Sequence, residues 1–297
     1  MTSATSPQTW TVGNLLNWTA EYLAQKGCES PRVDAEVLLA EALHCKRIDL
    51  YGMRHAEPAS DETRQRYRKL IGKRVEGCPV AYLVGRKEFY SLEFEVSPAV
   101  LIPRPDTETL VGECLRLARE VATPRLLDVG TGSGCVAVTV ARHHPGAQVT
   151  AVDLSPEALA VAARNAARHG VSERVHFHEG DLFAPLPPGE PFDCIVSNPP
   201  YIPRGEIAGL AADVRDHEPH LALDGGPDGF GVFDRLVAEA PAWLKPGGYL
   251  LLEINSTREG PARARLAGHA GYELDKTIHD RAGQPRVLRA RRRPADP

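Results

Sequence analysis

The chain of 297 residues contains no apolar run of membrane-spanning length, no surplus of positive charge and no closely spaced cysteine pairs. Each absence excludes something. A helix that crosses a bilayer needs roughly 20 consecutive apolar residues, so no such span is expected. A net charge of −4 and a pI near 6.3 argue against a protein held on nucleic acid by phosphate attraction. The run Arg289-Ala290-Arg291-Arg292-Arg293 is the local exception and reads as a solvated terminus. The six cysteines, at 28, 45, 78, 114, 135 and 194, have neither zinc-ligand spacing nor a secreted disulfide pattern. They read as reduced, mostly buried thiols, and no metal site is expected. The opening Met1-Thr2-Ser3-Ala4-Thr5-Ser6-Pro7 lacks a basic region followed by an apolar stretch, so an export signal is not expected and a cytoplasmic location is. A monomer requires no further assumption.

What remains is ordinary for a globular protein: 42% hydrophobic and 25% charged residues, with length enough for one or two well-filled domains. Val12, Leu15, Leu16, Ala20 and Leu23 form a helical stripe that ends near Gly27. Ser30-Pro31 offers an N-cap and first-turn proline to a second stripe, Val33, Val37, Leu38 and Leu43. From Asp61 a charged helix with few apolar anchors follows. These segments predict a small helical bundle over 1–84, either a structural cap or a platform for a protein substrate. Over 85–104 the period becomes two, with Leu92, Phe94 and Val96 alternating against Glu93, Glu95 and Ser97, which predicts a β-hairpin linker. Over 105–297 helical and extended segments alternate, the pattern of a parallel sheet covered on both faces. Strands are expected near 125–129, 148–153, 174–179, 192–197, 248–254, 272–278 and 286–291. The link Asp280–Gln284 is too short for a crossover helix, so the last two should pair antiparallel at the sheet edge.

Four motifs fall at strand ends. Leu126-Leu127-Asp128-Val129 runs into Gly130-Thr131-Gly132-Ser133-Gly134-Cys135 and then a helical pattern. A strand, glycines and a helix let a nucleotide-like ligand approach the backbone closely. Because Cys135 stands where a dinucleotide fingerprint needs Gly or Ala, a mononucleoside cofactor fits better. The strand Gln148–Val152 ends in Asp153, about 20 residues after the glycines, where an acid can accept from ribose hydroxyls. Asp181 ends a third alternating segment and can accept from an adenine amine, with Leu182 or Phe183 against the ring. The most informative motif is Asn198-Pro199-Pro200-Tyr201 after the run Phe192–Ser197. Two prolines fix φ and lack N–H groups, leaving stiff carbonyls beside a carboxamide and an aromatic face. Such a cluster can hold a planar –NH2 group and aim its nitrogen at an electrophile. The Asn198 oxygen and the Pro199 carbonyl would each accept one N–H, and Tyr201 would pack on the amide plane.

Together these pieces resemble the S-adenosylmethionine-dependent methyltransferases of the doubly wound class, with a seven-stranded α/β sheet, an antiparallel final hairpin and here a small N-terminal helical domain. Asn198-Pro199-Pro200-Tyr201 resembles the motif of enzymes that methylate adenine, cytosine or glutamine nitrogens. Four further stretches are similar to the peptide-chain-release-factor glutamine methyltransferases of HemK/PrmC type: Ser30–Glu36, Glu88–Phe94, Leu101–Glu108 and Leu223–Gly229. The resemblance implies N5-methylation of the glutamine in the Gly-Gly-Gln loop of a release factor during translation termination. It implies S-adenosyl-L-methionine as cofactor, held by Asp128, Gly130, Thr131, Gly132, Ser133, Gly134, Asp153, Asp181, Leu182 and Asn198, with catalysis at residues 198–201. Two positions depart from the family pattern: Leu182 where Trp is common, and Asn255 where Gly is usual. A DNA amino-methyltransferase would share the Asn-Pro-Pro-Tyr motif, but the acidic balance and the lack of a base-reading domain oppose it. A glutamine methyltransferase of a ribosomal protein would share it as well. A non-catalytic cofactor-binding protein would use the glycine turn but has no need of Asn-Pro-Pro-Tyr.

Overall fold

A computed structural model describes residues 10–294; the segment Met1–Pro7, on which the export-signal expectation rests, lies outside them. The chain divides into two compact units, one running to Gly85 and including Ala212–His217, the other comprising the remainder.

In the first unit, α1 (Val12–Gln25), α2 (Pro31–Leu43), α3 (Asp61–Val75) and α4 (Val80–Val84) bury one apolar cluster that includes Leu16, Leu38, Leu39, Tyr67 and Ile71. Thr11 caps α1 by accepting from the Asn14 N–H, and Gly27 follows it at φ +79°. Pro31 opens α2 as expected, but Ser30 makes no capping bond. The expected stripe on α2 is also displaced. Val33 is exposed, while Asp34 and Glu36 are buried with Leu38 and Leu39. The acids tolerate burial because they are paired: Arg74 reaches Asp34 at 2.8 Å, and Arg32, Arg47 and Tyr51 converge on Glu36. Apolar periodicity is therefore a poor guide on a helix whose inward face carries ion pairs.

The second unit begins with a hairpin, β1 (Arg86–Phe89) and β2 (Leu92–Glu95), whose turn residues Tyr90 and Ser91 both have positive φ. Phe89 and Phe94 are buried in the core of this unit. Then follow α5 (Glu108–Ala118), β3 (Arg125–Val129), α6 (Cys135–His143), β4 (Gln148–Asp153), α7 (Pro156–Arg168), β5 (Val175–Glu179) and β6 (Phe192–Ser197). After α8 (Ala212–His217), grouped with the first unit, come α9 (Gly231–Glu239), β7 (Leu244–Glu253), α10 (Glu259–Ala267), β8 (Tyr272–Leu274), β9 (Ile278–His279) and β10 (Pro285–Arg292).

One sheet runs β5-β4-β3-β6-β7-β10-β8, with β9 also paired to β10. β3 to β7 are parallel, and β10 is antiparallel to β7, β8 and β9. The order reverses at β3, which creates a crevice beyond its carboxyl end. Successive side chains leave opposite faces: Leu126 joins the cluster under α5 and α6, whereas Leu127 joins the one under α9 and α10. The expected strand 272–278 is two short strands. Pro285 has no N–H to donate, and the β10 register shifts between Pro285 and Val287. The arginine-rich end is not a solvated terminus either. Leu288 and Ala290 are buried in β10, Arg289 pairs with Glu113 and Asp275, and Arg293 donates to the Tyr272 carbonyl.

Candidate active site

Beyond the carboxyl ends of β3, β4 and β6 lies a cavity of about 410 Å³ with a mainly apolar lining, within the range of small-molecule sites. Its floor is the turn after β3. The Gly130 and Thr131 N–H groups donate to the Val152 carbonyl, and Gly132 donates to Asp153 Oδ2 at 2.8 Å. Gly130 and Gly132, at φ +74° and +55°, have open space where a Cβ would stand. Asp128 is buried beneath the turn and braces it, accepting from the Thr131 hydroxyl at 2.7 Å and the Ala137 N–H at 3.2 Å. Burial pushes its carboxyl up to about 6 despite those two donors. Gly134 does not line the cavity. A Cβ there would stand 3.0 Å from the Ala162 Cβ, so its absence lets α6 start against α7.

Asp153, at the end of β4, lines one wall beside the exposed Leu154. Burial raises its carboxyl, while the Ser155 and Gly132 N–H groups oppose that shift. Asp181 and Leu182 line the same cavity. Asp181 is gripped by both terminal nitrogens of Arg235, at 3.1 and 3.0 Å, and Leu182 takes a left-handed φ of +50° that is unfavourable for a residue bearing a Cβ.

Asn198 and Pro200 reach the cavity from the end of β6; Pro199 and Tyr201 do not line it. The Asn198 Nδ2 donates to Thr107 Oγ1 at 3.3 Å. Tyr201 has Glu253, Arg286 and Arg104 around it, and burial pushes its hydroxyl up to about 12. The Pro-Pro turn is clamped from behind by the segment 223–229: Ile202 donates to Leu223, Gly225 to Ile202 and Arg204 to Gly226. A Cβ at Gly225 would come within 2.7 Å of the Pro200 carbonyl oxygen, so only glycine permits this approach. Among the described residues no group of three or more His, Cys, Asp or Glu is placed to hold a metal ion.

Comparison with known proteins supplies the relationship. Residues 14–85 match the model of the PrmC N-terminal domain and residues 107–213 that of the methyltransferase small domain. A release factor glutamine methyltransferase of Rhodopirellula baltica is 43% identical over 293 residues, covering 97% of this chain and 98% of that protein. The chain belongs to the release factor glutamine methyltransferase family. Relatives bearing the same name from Geobacter sulfurreducens (46% identical, 84% of this chain and 85% of that protein) and Koribacter versatilis (42%, 92% and 95%) extend the match.

In this member of the family three supporting residues were not singled out from sequence. Asn165 on α7 is fully buried. It accepts from the Glu95 N–H at 2.7 Å and donates to the Glu95 and Ser133 carbonyls at 3.0 and 2.9 Å, tying the hairpin to the glycine turn. Thr107 and Glu253 lie behind Asn198, both almost wholly buried. Glu253 carried a readable signal, an acid closing an apolar strand as Asp128 and Asp153 do. Thr107 and Asn165 carried none, because their partners are distant in sequence.

Proposed function

We propose that the protein transfers a methyl group from S-adenosylmethionine to the side-chain amide nitrogen of the glutamine in the Gly-Gly-Gln loop of a peptide chain release factor. The observation that carries this reading is Asn198. Its Nδ2 is tied back to Thr107, so its Oδ1 is available to a substrate amide at the cavity, next to the glycine turn. Pro199 is buried and does not line the cavity, so Asn198 Oδ1 is the acceptor on which this reading relies.

The cavity suits the cofactor in size, in apolar lining and in the open space above Gly130 and Gly132. Asp153 would accept from the ribose hydroxyls. Asp181 and Leu182 would meet the adenine, with Asp181 sharing its oxygens with Arg235. The glycine turn, Thr131 and Ser133 would face the rest of the molecule, and Asp128 acts by keeping that turn in shape. S-adenosylmethionine, when bound, supplies a methyl group already activated on a sulfonium sulfur. The chain's own contribution is geometric. An amide nitrogen is a weak nucleophile because its lone pair is delocalised, so fixing its plane and direction supplies much of the rate. Such positioning is worth on the order of 7–11 kcal/mol. Tyr201 is half-buried and does not line the cavity, so this reading gives its ring no contact with the substrate amide.

In this reading residues 1–84 form the platform for the release factor, 85–104 the connecting hairpin and 105–297 the catalytic domain. The protein acts as a cytoplasmic monomer without direct nucleic-acid contact, as the net charge of −4 suggests. No helix among the described residues is long and apolar enough to cross a membrane. The test is methyl transfer from labelled S-adenosylmethionine to purified release factor, ribosomal protein and DNA in parallel, with mass spectrometry of the release-factor peptides. A single added methyl on the Gly-Gly-Gln glutamine supports the reading; label only in ribosomal protein or DNA refutes it.

A further inference from the structure

We propose that Glu253, acting through the Thr107 hydroxyl, sets which way the Asn198 carboxamide faces and is a positioning residue for the substrate amide. The inference rests on the methyl-transfer reading above and deepens it.

Three observations carry it. First, β6 and β7 are adjacent and parallel with Ser197 opposite Leu252, so Asn198 and Glu253 leave neighbouring strand ends. Second, Asn198 Nδ2 donates to Thr107 Oγ1 at 3.3 Å, and the Thr107 hydroxyl faces the Glu253 carboxyl and opposes its rise. Third, Glu253 is only 2% exposed and its Oε2 has no hydrogen-bond partner. An acid buried with an idle oxygen is an expensive way to fill a strand end, which glutamine or leucine would do at lower cost.

The logic is one of donors and acceptors. An ionised carboxylate can only accept, so the Thr107 hydrogen must point at Glu253. The Thr107 oxygen is then left to accept from Asn198, which it can do only from Nδ2. The carboxamide is locked with Oδ1 towards the cavity, the orientation that meets a substrate N–H. When Glu253 takes up a proton it can donate to Thr107 instead. The Thr107 hydrogen is then released to Asn198 Oδ1, the carboxamide reverses, and an N–H faces the substrate N–H.

The charged and titratable surroundings leave Glu253 as the switching group. Arg286 on β10 faces it but is already paired with Asp106 and Asp280, at 3.0 and 3.1 Å. Asp106 adjoins Thr107. Tyr201 after β6 and Cys135 at the start of α6 are both pushed up to about 12 by burial, so they stay neutral across the working range. Burial pushes Glu253 itself up to about 7, with Thr107 and Arg286 opposing that shift. Turnover should therefore fall as the pH drops through neutrality.

The test compares the full-length wild type with Glu253→Gln and Thr107→Val. Glutamine can both donate and accept, so it fills the space without dictating direction; valine removes the hydroxyl. Each substitution should lower kcat about 10-fold while leaving KM for cofactor and for release factor within about 2-fold. The acidic fall in kcat should vanish in Glu253→Gln, and the double variant should be no worse than either single one, as expected for members of one chain. Thr107→Ser, which restores the hydroxyl, should recover most of the loss caused by valine. A second readout needs no turnover. The ¹⁵N resonances of the Asn198 carboxamide, recorded on the protein alone, should shift with pH in the wild type and not in Glu253→Gln. Wild-type kcat in Glu253→Gln, a surviving acidic fall, or an unchanged carboxamide titration would each overturn the proposal. Failure of the wild type to methylate release factor, with the carboxamide titration intact, would count instead against the substrate reading.

Discussion

Replacing Glu253 by glutamine should make the sheet-containing unit more stable, and increasingly so as the pH rises. The carboxyl is 2% exposed, and burial lifts it from 4.5 to about 7. Between those values the folded protein holds a proton that the unfolded chain has released, so wild-type stability declines as the pH rises through this window and the full penalty is present above about 7. Each unit of difference is worth about 1.4 kcal/mol, which puts the penalty at ~3 kcal/mol. Glutamine carries no charge to bury and escapes it. Asp128, pushed up to about 6, adds a loss of the same sign, but it does so in both proteins and cancels in the comparison. The assay is urea unfolding at a series of pH values, followed by the fluorescence of Trp243, which packs against Phe183 in this unit; Trp10 and Trp18 are replaced by phenylalanine so that they do not contribute. The stability difference, variant minus wild type, should be small near pH 4 and grow by ~3 kcal/mol by about pH 8. A difference that stays flat with pH would show that Glu253 is not a buried acid with a displaced titration. A variant more stable yet less active would mark the residue as retained for function.

Asn198→Ala should cut single-turnover methyl transfer by roughly 100-fold or more while cofactor affinity, measured by calorimetry, changes only a few-fold. Asp153→Ala should act in the opposite order, weakening cofactor binding first; a variant that binds normally would remove Asp153 from the ribose. Asn165→Ala abolishes three hydrogen bonds and removes the partner of the half-buried Glu95 N–H and carbonyl and of the buried Ser133 carbonyl, at a cost of about 3 kcal/mol in denaturant unfolding. It should also weaken cofactor binding, since Ser133 belongs to the glycine turn.

The glycine turn, Asp153 and Asn198 were legible because each motif is contiguous and sits where a local pattern ends. A short apolar run followed by glycines or prolines specifies a strand end and the backbone beyond it with little help from the rest of the chain. The parallel sheet was legible for a similar reason, as alternating periods announce it before any pairing is known. The failures share the opposite character. The inward face of α2 was misread because Asp34 and Glu36 are buried by pairing with Arg74 and with Arg32 and Arg47. The division of the strand expected at 272–278 depends on the β10 register at Pro285. The arginine-rich terminus proved to be strand because carboxylates and carbonyls elsewhere receive its guanidinium groups.

By itself the sequence determined the class of sheet, the glycine turn and the carboxamide with its stiff carbonyls, since these depend on backbone preferences acting over a few residues. Only the tertiary structure decided what holds them. It set Thr107 and Glu253 behind Asn198, Asn165 under the glycine turn and Gly225 against the Pro200 carbonyl. Those contacts join residues some 25 to 150 positions apart, and hydrogen-bond direction and close approach are properties of such pairs that no single stretch of sequence carries.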